Sequence, residues 1–232
     1  MKFALLGYGR MGKAIEQIAL ERGHEIVCKI DENLTEGKLH EADAAINFSI
    51  PDAAVDNISS ALNQGVPVVC GTTGWLDAYQ QVTQIAQERN TAFLYASNFS
   101  VGVNLFFKLN KVLAQMMKPH KEYKASMEET HHIHKLDAPS GTAITLAEGI
   151  IENSDLIDWK LGENAKDSLS IQSYREGEVP GTHSIKYESP IDDITIEHKA
   201  HNRKGFALGA VIAAEWMVGK KGIFNMDDVL NL

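Results

Sequence analysis

The chain has 232 residues, of which 44% are hydrophobic and 23% are charged, and its formal net charge at pH 7 is −9. This length suits one large domain or two small ones, and the composition is typical of a soluble globular protein. The negative charge disfavours nonspecific nucleic-acid binding, although it leaves room for a local basic site that binds an anion. We expect neither a membrane span nor a signal peptide, because no apolar stretch is long enough and the short apolar N-terminus runs directly into a glycine motif.

In the first half of the sequence, short apolar runs alternate with segments of helical periodicity. The predicted strands cover residues 3–6, 25–30, 44–48, 67–70 and 92–95. The predicted helices cover residues 11–21, 52–64 and a segment that ends near residue 89. Strands and helices that alternate with short turns indicate a parallel sheet covered by helices on both faces.

The pattern changes after residue 102. Helices are predicted over residues 103–117, 142–151 and 206–218, with a strand near residues 123–129 and a polar loop over residues 131–141. Three alternating segments, at residues 169–174, 183–188 and 194–201, are expected to form antiparallel strands. The last predicted helix is strongly apolar, and we expect it to pack back on the first domain.

These elements predict an α/β protein with two domains. Residues 1–102 and 203–232 are expected to form a Rossmann-like domain with a parallel sheet. Residues 103–202 are expected to form a second domain of the α+β class. The two cysteines, Cys28 and Cys70, follow apolar strand-like runs and are interpreted as buried thiols, which favours a reducing, cytoplasmic location.

A glycine-rich turn follows the first predicted strand. Gly7, Gly9 and Gly12 form a GxGxxG pattern that opens the first helix. Such glycines permit a tight turn, close approach of a pyrophosphate and close packing of helix on sheet, while the helix N-terminus offers N–H groups to phosphates. Asp31 ends the second strand, where a carboxylate accepts hydrogen bonds from the ribose of a dinucleotide. The pattern favours a dinucleotide site over a glycine turn without a ligand.

A second glycine turn, residues 71–74, follows the fourth predicted strand. It belongs to the carboxyl edge of the sheet, where ligands of such folds bind. Taken by itself, this turn is equally compatible with a plain connection.

Three histidines and one lysine lie between residues 131 and 135. One interpretation is a zinc site in which His132 and His134 share a face, with further ligands from His183, His198 or His201. No cysteine cluster or HExxH motif supports that interpretation. A second interpretation is a solvated polar loop.

A third interpretation is catalysis on an anionic substrate. Ser140, Gly141 and Thr142 come where the next helix begins, and hydroxyl and N–H groups at a helix N-terminus bind a carboxylate well. Lys135 adds a cation, and a histidine can deliver a proton near neutral pH. Together with a dinucleotide domain that supplies hydride, these residues favour the reduction of a small anionic, unsaturated acid.

Residues 128–143, with the sequence EETHHIHKLDAPSGTA, closely resemble the signature of the 4-hydroxy-tetrahydrodipicolinate (dihydrodipicolinate) reductases. Further segments match the motifs of that family: residues 7–12, residues 71–74 (GTTG), residues 98–104 (NFSVGVN), residues 175–177 (REG) and residues 181–183 (GTH). The resemblance therefore extends over nearly the whole chain.

The resemblance implies a role for each matching residue. His131 would be the general acid, Lys135 would hold a substrate carboxylate and assist proton transfer, and His132 would contact the substrate. Ser140, Gly141 and Thr142 would bind the other carboxylate. The residues implied around the cofactor are Gly7, Gly9, Arg10, Met11, Gly12, Asp31, Phe48, Gly71, Thr73, Ser97, Phe99, Arg203 and Phe206.

The resemblance also implies an NAD(P)H-dependent oxidoreductase of lysine and diaminopimelate biosynthesis. Such an enzyme would reduce 4-hydroxy-tetrahydrodipicolinate, a small dicarboxylate, to tetrahydrodipicolinate with loss of water. The second domain would bind substrate and build a homotetramer, and no metal is implied.

The sequence departs from the family in the connection between Asp31 and Ala42, which is short, and at Glu32. Many members carry a basic residue at that second position for the 2′-phosphate of NADPH. We therefore predict that NADH is preferred modestly and that NADPH is still accepted, with Lys29, Lys38 or Arg10 as the cations that offset the repulsion.

Two alternatives stay open at this point. One is a Rossmann-type dehydrogenase that acts on another small acid, which leaves the histidine-lysine loop without a specific purpose. The other is a nicotinamide-sensing regulatory protein, which would need no proton donor.

Overall fold

The computed structural model describes residues 1–163, 165–202 and 204–232. These residues divide into two compact units. One unit consists of Met1–Val101 together with Lys204–Leu232, and the other consists of Gly102–Arg203. Among the described residues, no helix combines the length and the apolar character needed to cross a membrane.

The first unit is built on one sheet with helices on both faces. Its strands are β1 (Lys2–Leu6), β2 (Glu25–Asp31), β3 (Leu34–Gly37), β4 (Ala44–Asn47), β5 (Val68–Cys70), β6 (Ala92–Tyr95) and β12 (Gly222–Phe224). Its helices are α1 (Arg10–Glu21), α2 (Pro51–Asn63), α3 (Tyr79–Glu88), α6 (Lys204–Met217) and α7 (Met226–Leu230), with short 3₁₀ helices at Leu39–Glu41 and Leu76–Ala78.

The strand order is β12-β6-β5-β4-β1-β2-β3, and every pair is parallel except β2 with β3. The predicted parallel sheet is therefore confirmed, and its five predicted strands end within one residue of the observed ones. The sequence did not predict β3, β12 or α7. Strand β3 is polar and largely exposed, and β12 has three residues, so neither produces a clear periodic signal.

Both faces of this sheet are buried. Along β1, Phe3 and Leu5 pack on one face in a cluster that contains residues of α1 and α6. Ala4 and Leu6 pack on the other face, in a cluster that contains residues of α2 and α3. Because alternate side chains point to opposite faces, burial on both sides requires a continuous apolar run. The strongly apolar α6 packs in the first of these clusters, as its sequence predicts.

The second unit contains a five-stranded sheet and two longer helices. Its strands are β7 (Lys124–His131), β8 (Asp158–Leu161), β9 (Ser168–Arg175), β10 (Thr182–Glu188) and β11 (Asp193–Lys199). Its helices are α4 (Val101–Met117) and α5 (Gly141–Ile151). The strand order is β11-β10-β7-β9-β8.

The expectation of antiparallel strands was only partly right. Strand β10 is antiparallel to both β7 and β11, but β9 is parallel to β7 and β8 is parallel to β9. The chain reaches β9 from β7 through α5 and β8, and such a crossover is what a parallel pair needs. The alternating pattern of the sequence indicates that one face of the sheet is buried, but it does not indicate the direction of the strands.

The end of β7 also differs from the prediction, which stopped the strand at Glu129. The strand continues to His131, whose partner in β9 is Arg175. His131 is therefore the last residue of a strand in the centre of the sheet, and only the residues after it belong to the loop.

Helix α6 contains two glycines whose surroundings differ sharply. A Cβ on Gly209 would lie 1.7 Å from the carbonyl oxygen of Phe99, whereas a Cβ on Gly205 would meet its nearest neighbour, Ser100 Oγ, at 3.5 Å. We expect Gly209→Ala to destabilise the protein by about 1–3 kcal/mol or more, because backbone atoms must move apart. Gly205→Ala should leave stability unchanged or slightly higher, since alanine favours helix. Urea unfolding curves of both variants test this, and equal midpoints would contradict it.

Candidate active site

The glycine turn of the first unit has the geometry that its sequence requires. Gly7 has a φ of +96°, and a Cβ there would lie 2.2 Å from the carbonyl oxygen of Phe48. A Cβ on Gly12 would lie 2.3 Å from the carbonyl oxygen of Gly7, whereas one on Gly9 would meet no described atom within 4 Å. Gly9 is also the N-cap of α1 and provides no side-chain cap. The start of α1 is therefore shaped to receive a phosphate group.

Asp31 lies beside this turn at the end of β2. Its Oδ2 accepts a hydrogen bond of 2.6 Å from the backbone N–H of Tyr8, and its Oδ1 accepts one of 2.8 Å from Glu32. The residue is exposed. These two bonds hold the carboxylate in one orientation next to the glycine turn, and the oxygens keep further lone pairs for a ligand.

Lys29 is not a free cation. Its Nζ lies 2.7 Å from Glu16 Oε1 and 4.7 Å from the centre of the Tyr8 ring, and the Tyr8 hydroxyl also donates to Glu16. The hydrogen bond to Glu16 raises the pKa of the Lys29 ammonium. Sequence analysis missed both partners, because Glu16 belongs to α1 and meets β2 only in the folded unit.

Phe48 and Gly71 form one contact at the carboxyl edge of the sheet. A Cβ on Gly71 would lie 2.2 Å from Cζ of Phe48, so the ring requires glycine there. The Phe48 ring lies 5.6 Å from the ring of Phe99, which is 2% exposed and packs in the core. The side chain of Phe99 thus supports this edge from inside.

The 71–74 turn is held by Thr72, which sequence analysis did not single out. Its hydroxyl accepts hydrogen bonds from Asn47 Nδ2 at 3.2 Å and from the Ser49 backbone at 2.9 Å. The neighbouring Thr73 is exposed, as is Ser97, so both are accessible to a ligand.

The remaining residues predicted around the cofactor have different surroundings. Arg10 is exposed at the first position of α1, and Met11 packs against the core of the unit. Phe206 is half-buried near the start of α6. Arg203 lies outside the described residues.

In the second unit, strand register brings polar residues together on the buried face of the sheet. Glu129 in β7 pairs with His183 in β10 and with Ser173 in β9. One pair earlier on the same face, Met127 has the apolar partners Ile185 and Ile171. A polar row therefore follows directly on an apolar row.

The Glu129 carboxylate is the centre of this polar row, and the residue is 1% exposed. Its Oε1 accepts hydrogen bonds from the Ser140 backbone at 3.0 Å and from the Ser173 hydroxyl at 2.5 Å, and it lies 3.5 Å from Arg175 Nη2. Burial by itself would raise the pKa of this carboxyl. The hydrogen bonds from His183, Ser140 and Ser173 instead hold it well below its usual range.

Two histidine rings face this carboxylate. His131 Nδ1 lies 3.4 Å from Glu129 Oε2, and His183 Nε2 lies 3.6 Å from the same oxygen and 3.2 Å from Ser140 Oγ. Burial lowers the pKa of His131 to about 4, although the negative charge of Glu129 opposes the shift. The shift therefore favours the neutral form of His131 near pH 7.

Lys135 is presented by a loop that Arg175 holds in place. The guanidinium donates to the carbonyl oxygens of Lys135 at 3.2 Å and Asp137 at 2.5 Å. The ammonium of Lys135 lies 2.7 Å and 2.8 Å from the two carboxylate oxygens of Asp137. The Lys135 cation is therefore paired with Asp137 within this loop.

The start of α5 has the geometry of a capped helix. Ser140 is the N-cap: its Oγ accepts from the Ala143 backbone at 3.2 Å, while its own N–H is given to Glu129. Gly141 is exposed, and a Cβ there would meet no described atom within 4 Å; Thr142 is half-buried. Ser140 is thus held by bonds within the unit, whereas Gly141 is exposed in the first turn of α5.

The described residues do not gather the histidines of the zinc hypothesis into one set. His132 is half-buried and His134 is exposed, with ring centres 6.0 Å apart, and His134 lies 3.2 Å from Glu178. Ligand-type atoms of Glu129, His131 and His183 do lie within 4.8 Å of one another. Because the Glu129 oxygens already accept hydrogen bonds from serines, we interpret this cluster as an acid–base centre.

An α/β unit with the glycine turn of nucleotide-binding folds, together with a second unit in which a buried carboxylate lies beside two histidines, is the architecture of a pyridine-nucleotide-dependent reductase. Residues 1–99 match the family described as dihydrodipicolinate reductase, N-terminus, and residues 102–230 match its C-terminus. The chain belongs to the dihydrodipicolinate reductase family.

Similar proteins span nearly the same length. The chain is 53% identical over 234 residues to the 4-hydroxy-tetrahydrodipicolinate reductase of Christiangramia forsetii, covering 100% of this chain and 98% of that protein. It is 38% identical to the enzyme of the same name from Methanoculleus marisnigri, covering 88% and 81%. The fold is similar to that of a dipicolinate-bound dihydrodipicolinate reductase from Paenisporosarcina sp. TG-14, with a TM-score of 0.81, 22% identity and 97% of both chains covered.

Proposed function

We propose that this protein reduces 4-hydroxy-tetrahydrodipicolinate to tetrahydrodipicolinate with NAD(P)H, in lysine and diaminopimelate biosynthesis. Family membership and the 53% identical reductase support this reaction. The observation that carries the proposal is the close succession of an acid–base residue, a cation and a helix N-terminus between β7 and α5. A dicarboxylate that must gain a proton needs these three groups, and neither a general dehydrogenase nor a sensor without catalysis accounts for all of them.

The first unit would hold the cofactor. The N–H groups at the start of α1 would bind its pyrophosphate next to Gly9, and Asp31 would accept hydrogen bonds from the adenosine ribose. When bound, the nicotinamide supplies the hydride. Phe48, packed on Gly71, would form the wall of the pocket at the edge of the sheet.

The second unit would hold the substrate. Lys135 would bind one carboxylate, and the N–H groups at the start of α5, with the Thr142 hydroxyl, would bind the other. His132 is close enough in sequence to contact the same molecule. Ser140, already bonded to Glu129 and Ala143, would orient these groups.

His131 would deliver the proton. It is neutral without a ligand, but a bound dianion favours the charged imidazolium and raises the pKa of the ring. The proton is then taken up together with the substrate. Because Nδ1 faces Glu129, Nε2 is the nitrogen that donates. The overall reaction adds one hydride and one proton to the substrate and releases one water.

Replacing the proton donor tests the proposed reaction. We expect His131→Gln to lower turnover by roughly 10²–10⁴-fold, the range for loss of a general acid. Cofactor affinity should barely change, because the residues proposed to bind the cofactor belong to the other unit. The matched control is His134→Gln, whose side chain is exposed. Near-normal turnover of His131→Gln in a coupled assay would remove this residue from the mechanism.

Lys135 should be required for binding a dicarboxylate. We expect Lys135→Ala to weaken the affinity for pyridine-2,6-dicarboxylate by roughly 1.5–3 kcal/mol, because a hydrogen bond to a charged group is lost. Lys118→Ala, at an exposed lysine just after α4, is the control and should bind normally. Calorimetric titration gives both affinities. Equal binding by the wild type and Lys135→Ala would mean that the cation is misassigned.

We also infer a modest preference for NADH over NADPH. The 2′-phosphate of NADPH would meet Asp31 and Glu32, and like charges disfavour its binding. Lys29 offsets this repulsion less than its position in the sequence indicates, because Glu16 holds its ammonium at 2.7 Å.

The ratio of kcat/KM for the two cofactors, taken at low and moderate salt, measures this preference. We expect the wild type to favour NADH and Glu16→Gln to shift the ratio towards NADPH, since the variant releases Lys29. Glu21→Gln, at an exposed site near the end of the same helix, should not shift it. A clear NADPH preference of the wild type would show that Arg10 or another cation dominates the pocket.

We further propose a cytoplasmic homotetramer. The cysteines Cys28 and Cys70 are both free and buried, as expected in a reducing compartment.

In the second unit, β11 is an exposed edge strand, and α4 carries a line of exposed apolar residues: Leu105, Leu109, Val112 and Met116. Such surfaces support self-association through this unit. Light scattering in solution decides the assembly, and a monomer would contradict it.

A further inference from the structure

Glu129 is the carboxylate of the acid–base centre and is 1% exposed, and the sequence motif assigns it no role. We propose that Glu129 is a positioning residue for the reduction: it orients the ring of His131 through Nδ1, stabilises that ring when it is protonated, and fixes the start of α5 through Ser140. This inference rests on the proposed function, since it concerns the proton that His131 delivers.

The surroundings of Glu129 argue against a purely structural role. An ionised carboxylate that is 1% exposed is unfavourable unless it is fully paired, and apolar residues of similar size often stabilise a core better. The adjacent row on the same face consists of Met127, Ile171 and Ile185, so this sheet readily accommodates apolar side chains. We therefore attribute the buried charge at this position to function and not to packing.

One carboxylate joins the two parts of the substrate site. Oε1 accepts the Ser140 N–H at 3.0 Å, and this bond fixes the residue that caps α5. Oε2 lies 3.4 Å from His131 Nδ1, a buried atom that makes no hydrogen bond within the described residues, so this contact is electrostatic. The helix start that would bind a carboxylate and the ring that would donate the proton therefore both border this one carboxylate. A shift of the Glu129 side chain would displace both.

The charges around His131 make Glu129 decisive for its protonation. His131 lies beside Glu129 on its own strand, His183 on β10 and Arg175 on β9, and the charge of Lys135 in the following loop also acts on it. Of these four, Glu129 alone is an anion. Burial and the cations disfavour the imidazolium, and Glu129 favours it. Without this carboxylate, the pKa of His131 would be lower before the dicarboxylate binds, and therefore also lower after it binds.

The test uses Glu129→Gln, which keeps an oxygen for Ser140 and Ser173 but removes the charge. The control is Glu128→Gln, at the exposed neighbouring residue whose side chain points to the opposite face of β7. Two quantities are measured in the full-length protein. They are the pH dependence of kcat, and the proton uptake that accompanies binding of pyridine-2,6-dicarboxylate at pH 7, obtained by calorimetry in buffers of different ionisation enthalpy.

We expect Glu129→Gln to move the alkaline limb of the kcat profile to lower pH by about 1 unit or more and to reduce the proton uptake, because an opposite charge is lost. Glu128→Gln should match the wild type in both. A Glu129→Gln variant that is slower but has an unchanged pH profile and unchanged proton uptake would overturn the proposal, since a structural role alone would produce that result.

A second measurement does not depend on the folding of Glu129→Gln. In the wild type, the ring signals of His131, assigned with His131→Gln, are titrated by NMR with and without the dicarboxylate, and we expect the pKa to rise on binding. No rise would contradict the protonation of His131 that Glu129 is proposed to stabilise, and with it this inference. If the wild type binds the dicarboxylate but fails to turn over the pathway substrate, the proposed reaction is wrong, and the Glu129 titrations still decide whether this carboxylate controls His131.

Discussion

The polar residues of the second unit are organised around one buried carboxylate. Glu129 is placed by the register of β7 between two neighbouring strands, so that it faces His183 on one side and Ser173 on the other. Hydrogen bonds from backbone and side-chain donors keep it ionised in a position without solvent. From there it bonds the start of α5 and faces His131. The loop and the sheet are thus joined in one polar network, which lies next to the apolar core of the unit.

In the first unit, the main constraint is that the backbone of the glycine turn must allow the close approach of a pyrophosphate. Gly7 and Gly12 lie where any side chain would overlap a neighbouring carbonyl oxygen, whereas Gly9 borders open space. The turn is therefore tightly packed against backbone at Gly7 and Gly12 and open at Gly9. Asp31 is tied to the same turn by the Tyr8 backbone, so that phosphate and ribose contacts would be set by a single segment.

Electrostatics in both units follow from pairing inside the protein. Lys29 and Lys135 are cations that a ligand would seek, yet Glu16 holds one and Asp137 the other. His131 is neutral because it is buried, although the proposed chemistry requires its charged form. A charged ligand would compete with Glu16 and Asp137 for the two lysines, and a bound anion would favour the protonated form of His131. Binding and protonation are for this reason expected to be coupled.

The sequence by itself determined the α/β class, the parallel sheet of the first unit, the glycine turn before α1 and the helix start at Ser140, because periodicity, glycine spacing and helix-start residues are local signals. Strand direction in the second unit, the extension of β7 to His131, the Lys29–Glu16 pair and the central position of Glu129 were decided only by the tertiary structure. Each of these features depends on contacts between segments far apart in the chain. A pattern along one segment specifies which face is buried, but it does not specify which distant side chain lies opposite.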